Sequence, residues 1–226
     1  MRICLFLETS VFLGYAFPCD HWETAATVCL SSPQKKFTSN TVENEFCKKL
    51  EYSVQRIQRE LLGLLRELKK KHGSGVIGEA GLKRLIDIAR ELKIRPFLES
   101  MIPDVAPGNT YTDFDVWVRN ILHQFLAQVQ LRRTTLRTWI DQVAIESWLR
   151  VVPYDTLRQQ LIRSVPNSDD VEILLDAHDL ATNQDLAISF VTGDMKDIKR
   201  NETAITGMTR IQKIMYLDEF RPDIES

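Results

Sequence analysis

The opening run RICLFL, residues 2–7, restricts the fold more than any other stretch of the chain. Its apolar side chains point to both sides of an extended backbone, so both faces must be covered, as for a central strand of a parallel sheet. The run stops at Glu8, Thr9 and Ser10, where a strand passes into a loop or helix. A second run of this kind, ISFVTGD at residues 188–194, lies far along the chain and stops at Gly193 and Asp194. Lys36–Ser39 reads as a short further strand, and Ile214–Leu217 as a last one. Between these strands fall helical patterns at residues 20–31, from Thr41 onward, and over VEILLDAHDLA, which Asp169 and Asp170 are expected to cap. Strands separated by helices predict a three-layer α/β fold around a parallel sheet.

The middle of the chain breaks this alternation. Cys47, Leu50, Val54, Ile57, Leu61, Leu64 and Leu68 repeat at spacings of three and four, the seam of a long helix that packs on another. Lys69, Lys70 and Lys71 suit its last turn, where cations meet the negative end of the helix dipole, and HGSG ends it. Leu82, Leu85, Ile86, Ala89 and Leu92 form a second amphipathic face, and Pro103–Asn109 a loop. A third seam runs from Phe114 to Val129, opened by a Thr112–Asp115 capping pair, and Trp139, Ile140, Val143 and Trp148 extend or restart it. The expected organisation is a discontinuous α/β domain, residues 1–50 and 151–226, with a strand-free helical insertion at 51–150. The tryptophans at 117, 139 and 148 are expected in the core of that insertion.

A net charge of -2 does not by itself point to nucleic acid, so any such binding is expected from local basic patches. Those patches are Lys69–Lys71, a stripe of Arg119, Arg132, Arg133 and Arg137, and Lys196, Lys199 and Arg200 beside Asp194. The four cysteines, Cys4, Cys19, Cys29 and Cys47, form no CxxC pair, which suits reduced thiols in a cytoplasmic protein. No apolar stretch approaches the roughly 20 residues of a membrane span, so no membrane partner is expected. There is no P-loop, no GxSxG and no GxGxxG.

The acids carry the chemical information. Glu8 and Asp194 end strands, Glu45 lies in the helix after the second strand, Asp170, Asp176 and Asp179 share a late helix, and Asp197 follows Asp194. In a parallel α/β sheet the carboxyl ends of the strands line one crevice, so these acids are expected to converge. Converging carboxylates repel unless a cation joins them, and oxygen ligands suit Mg²⁺ or Mn²⁺. Such an ion activates water and offsets the charge that develops in phosphodiester hydrolysis. The plainer alternatives are an N-cap for Asp170, solvent-facing helix charges for Asp176 and Asp179, and a helix-flank role for His178.

The stretches LETSVFLGY, FTSNTVENEF and SFVTGDMKDI resemble the three signature regions of PIN-domain nucleases. Glu8, Thr9 and Ser10 match the acid-Thr-Ser/Asn of the first region, Ser39 and Glu45 the Ser and later Glu of the second, and Thr192 and Asp194 the Thr-x-Asp of the last. The third acid of the pattern is Asp170 by its apolar partners Ile173, Leu174 and Ala177, or Asp176 by its distance from Asp194. The resemblance covers residues 1–50 and about 165–220. It implies a divalent-metal-dependent endoribonuclease using Mg²⁺ or Mn²⁺ and a metal-activated water. Glu8, Glu45, Asp170, Asp176 and Asp194 would be catalytic, and Glu8, Asp170, Asp176, Asp194 and Asp197 would hold metal. RNA is the implied substrate, and the helical insertion the means of choosing it or of forming a homodimer or binding another protein. Glu8 departs from the family's usual Asp. The added methylene moves the carboxylate by about an ångström, enough to cost on the order of a hundredfold in rate. A catalytically silent PIN fold that binds RNA or protein is therefore the alternative.

Overall fold

A computed structural model describes residues 3–18, 20–92, 94–101 and 110–220. Cys19 and the Pro103–Asn109 loop lie outside them. The chain forms two compact units, one of Met1–Tyr15, His21–Lys48 and Arg133–Ser226, the other of Ala16–Asp20 and Lys49–Arg132.

The first unit is α/β. Its sheet contains β1 (Ile3–Leu7), β2 (Lys36–Ser39), β3 (Ile145–Trp148), β4 (Ala187–Thr192) and β5 (Ile211–Tyr216). Every pairing is parallel, and the order is β3-β2-β1-β4-β5. All six residues of β4 and four of the five in β1 are buried, which explains their two-sided apolar composition. Phe6 and Phe190 stack at 5.7 Å between these central strands. The helices include α1 (Thr9–Ala16) and α2 (Glu23–Ser31), with α2 opening three residues later than the pattern from residue 20 suggests.

The second unit is helical. It takes most of α3 (Asn40–His72), all of α4 (Gly78–Glu91) and α5 (Arg95–Met101), and the greater part of α6 (Tyr111–Asp141). The α3 seam buries Leu50, Ile57, Leu61, Leu64 and Leu68, whereas Val54 stays half-buried. The helix stops at Gly73, whose φ of 60° is a left-handed conformation that suits glycine. Pro96 lies in the first turn of α5, where its missing N–H costs no helical bond, so it begins a helix rather than only ending one.

Three local expectations are corrected. The α6 capping pair is Thr110 and Asp113, which bond each other's backbone N–H at 3.3 Å, and not Thr112 and Asp115. Asp115 instead pairs with Arg119 one turn on. The span 51–150 is not strand-free, because Ile145–Trp148 forms β3 and pairs with β2 from Lys36↔Ile145 to Ser39↔Trp148. The helical pattern breaks at Val143, whose φ is 60°, and the chain then re-enters the sheet. Trp148 is thus a sheet residue, while Trp117 and Trp139 are half-buried.

After β3 come α7 (Asp155–Leu161), α8 (Ser168–Asn183) and α9 (Glu202–Met208). The N-cap of α8 is Asn167, whose side chain accepts the Asp169 N–H at 3.1 Å, and neither Asp169 nor Asp170 caps it. Among the described residues no helix is long and apolar enough to cross a membrane.

Candidate functional site

The strand order reverses between β1 and β4: from β1 the sheet grows through β2 and β3 on one side, and through β4 and β5 on the other. At such a point the loops leaving the strand ends diverge and open a crevice. The β1–β4 register pairs Leu7 with Val191, and one step further along brings Glu8 beside Thr192. Thr192 Oγ1 donates to Glu8 Oε2 at 2.8 Å. Ser10 Oγ donates to the same oxygen at 2.6 Å, and the Ser10 N–H lies 3.3 Å from Glu8 Oε1.

Each hydroxyl also accepts from the loop after β4. Ser10 Oγ takes the Gly193 N–H at 2.6 Å, and Thr192 Oγ1 the Asp194 N–H at 2.9 Å. A Cβ on Gly193 would stand 3.1 Å from Ser10 and from the Trp22 indole nitrogen, so glycine permits this close approach. Thr9 Oγ1 donates to Glu45 Oε2, which joins α1 to α3. Asp194 Oδ1 accepts the Asp197 N–H at 2.8 Å and holds the turn after β4. These bonds tie Glu8, Ser10, Thr192 and the backbone of Gly193 and Asp194 into one set, and Thr9 to Glu45 in another.

Glu8 is only 5% exposed. Loss of water around its carboxylate raises its pKa, the bonds from Ser10 and Thr192 oppose that rise, and the charge of Glu45 adds to it. A buried carboxylate strained in this way and coupled to a second one is a donor set that a hard divalent cation would relieve. That much fits Mg²⁺ or Mn²⁺. Among the described residues, however, no three His, Cys, Asp or Glu side chains are gathered closely enough to hold an ion. Glu8 and Glu45 lie near enough for the charge of one to act on the other.

The acids of α8 are placed differently. Asp176 and Asp179 are 2% and 0% exposed, so neither is a solvent-facing charge. Asp179 accepts from Trp148 Nε1 at 3.0 Å, the Val151 N–H at 3.1 Å and Asn183 Nδ2 at 2.8 Å, which makes it an anchor for the chain leaving β3. Asp176 lies 3.3 Å from Arg150 Nε. Burial raises its pKa, against hydrogen bonds from Thr41 and Ser39 and the charge of Arg150. Asp170 is buried in the first turn of α8. His178 Nδ1 accepts the Arg210 N–H at 3.0 Å, the helix-flank role expected of it.

The cationic patches are largely tied to the protein's own acids. Arg119 pairs with Asp115 and Arg137 with Asp141, while Lys199 pairs with Glu202 and Glu219 and bonds the Ile214 carbonyl. Lys196 and Arg200 remain exposed beside Asp194. Arg150 is the residue of this region that sequence reasoning missed. It lies between β3 and α7 in a stretch without period or motif, and its partners on α8 are more than twenty residues away. Among the described residues Cys4, Cys29 and Cys47 form no disulfide, and burial pushes the Cys29 thiol up to about 12.

Compared with protein-family models, curated proteins and solved structures, the chain matches none of them.

Proposed function

We propose that this chain is a PIN-type nuclease that hydrolyses RNA phosphodiester bonds with Mg²⁺ or Mn²⁺ at the carboxyl edge of its sheet. The observation that carries the reading is the junction of three sequence-distant segments at the strand-order reversal: Thr192 and Ser10 on the Glu8 carboxylate, and Thr9 on Glu45. These are the residues that carry the PIN resemblance. Glu8 and Glu45 would hold the ion, with Asp194 at the rim and Asp170 as the third acid. Bound there, the ion would offset charge developing on the phosphate and acidify water.

The protein's own groups have the remaining tasks. The hydroxyls of Ser10 and Thr192 fix the orientation of Glu8, and the Asp197 N–H fixes that of Asp194. Lys196 and Arg200 offer charge to the RNA backbone, and the helical unit is the surface for choosing substrate or a protein partner. The test is single-turnover cleavage of a labelled RNA pool in Mn²⁺ by wild type and Asp194→Asn, with EDTA controls. Loss of cleavage in a folded Asp194→Asn protein supports the reading.

One observation favours a second reading, a silent PIN fold that binds RNA or protein without cutting. Glu8 Oε2 already accepts two hydroxyls, on an arm one methylene longer than the family's Asp. RNA binding with no cleavage by wild type or Glu8→Asp at any Mn²⁺ concentration selects this reading over the nuclease.

A further inference from the structure

Asp176, one of two candidates for the third acid of the PIN pattern, has surroundings unlike those of Glu8. It is 2% exposed and lies further along α8 than Asp170. Burial raises its pKa, and the hydroxyls of Thr41, at the start of α3, and Ser39, at the end of β2, oppose that rise. On its remaining side lies the Arg150 guanidinium, with Nε at 3.3 Å. That guanidinium is held from behind: Nη2 bonds Glu172, and Glu172 is gripped in turn by Arg158 at 2.6 Å and 3.1 Å. Nη1 of Arg150 is buried with no hydrogen-bond partner, so the head group is drawn out of water rather than resting on the surface.

We propose that Arg150 is the built-in counter-cation of Asp176, and that Asp176 therefore takes no part in holding a divalent ion. The second part rests on the metal-dependent reading above. A carboxylate already neutralised by a fixed positive charge gains little from an added cation. A divalent ion at Asp176 would also stand beside the guanidinium, where repulsion is poorly screened. Glu8 differs in that hydroxyl donors fix it. Asp176 and Glu172 carry their own arginines.

The test measures Mn²⁺ binding to the full chain by isothermal titration and by the free-Mn²⁺ electron-spin signal, in wild type, Glu8→Gln and Asp176→Asn. It adds a thermal double-mutant cycle of Arg150→Gln with Asp176→Asn. The expected result is an Mn²⁺ stoichiometry in Asp176→Asn equal to that of wild type, an affinity within about twofold of it, and at least a tenfold loss of affinity in Glu8→Gln. In the cycle, Arg150→Gln should lower Tm more in wild type than in Asp176→Asn, because only wild type is left with a buried uncompensated charge. Fewer Mn²⁺ bound by Asp176→Asn than by wild type, or a loss of affinity in Asp176→Asn equal to that in Glu8→Gln, overturns the proposal. If wild type binds no Mn²⁺ the metal-dependent reading fails by itself, and the cycle decides the pair: coupled losses uphold it, additive losses overturn it.

Discussion

Replacing Glu8 by Gln separates the cost of a buried charge from the cost of a lost hydrogen bond. Glu8 Oε2 accepts both hydroxyls, at 2.6 Å and 2.8 Å, and a Gln carbonyl oxygen can occupy that place. The amide NH₂ then faces the Ser10 N–H, which lies 3.3 Å from Oε1 in wild type, so one long bond is lost. Such a loss costs about 0.5–1.5 kcal/mol. At about 2–4 °C per kcal/mol for a chain of this size, Glu8→Gln should melt about 1–6 °C below wild type at pH 4, where Glu8 is largely protonated folded or unfolded.

The sign then turns with pH. The folded pKa of Glu8 is raised above its ordinary value of 4.5, so its contribution is complete below that value and is lost as pH rises through the folded pKa. The Tm of Glu8→Gln should therefore climb relative to wild type between pH 4 and pH 8. Mn²⁺ should reverse the gain. At a hundred times its dissociation constant a ligand contributes about 2.7 kcal/mol, which converts to about 5–11 °C for wild type, and Glu8→Gln should gain far less. Differential scanning fluorimetry at several pH values, with and without Mn²⁺, measures all of this. A Tm difference that does not change with pH, or an equal Mn²⁺ gain in both proteins, would refute the account of Glu8 as a buried, cation-accepting carboxylate.

Glu8→Asp should raise Mn²⁺-dependent cleavage of labelled RNA if the long arm is a damaging departure, and lower it if the site has adapted to Glu; an unchanged single-turnover rate would show that arm length is immaterial. Asp179→Ala removes the acceptor of the Trp148 indole, the Val151 N–H and the Asn183 amide, and should cost about 2–4 kcal/mol in urea unfolding because those donors lose their partner. Asp176 adds to the pH dependence in the same direction as Glu8, its raised folded pKa making stability fall as pH rises, so Asp176→Asn should flatten the urea midpoint between pH 4 and pH 8. Leu64→Ala, 2% exposed on the α3 seam, should cost about 2–5 kcal/mol in the same assay, and a cost below 1 kcal/mol would show that the seam is not packed as described.

Local pattern alone made β1, β2, β4 and the α3 seam legible, because a strand buried on both faces and a helix buried on one must repeat their apolar residues at the period of their own backbone. It also placed Glu8, Ser39 and Thr192 at strand ends, where a parallel sheet gathers its loops. What it could not reach were features set by pairings across long separations. β3 was hidden because IESW is too short for a period to show, and only its register with β2 makes it a strand. For Asp176 and Asp179 the pattern leaves a solvent-facing helix charge open beside a role in the site, since a helical wheel does not reveal that Arg150 and Trp148, arriving from β3, lie against them. The choice of Thr110 and Asp113 over Thr112 and Asp115 depends on which residue begins the helix, a shift of two residues that the apolar seam does not fix. Local pattern assigns strands and seams wherever a period is long enough to show, as in β1, β4 and the α3 seam. Tertiary structure alone decided which acids share hydroxyl donors and which have an arginine, because electrostatic partnership depends on distance in space and not on separation along the chain.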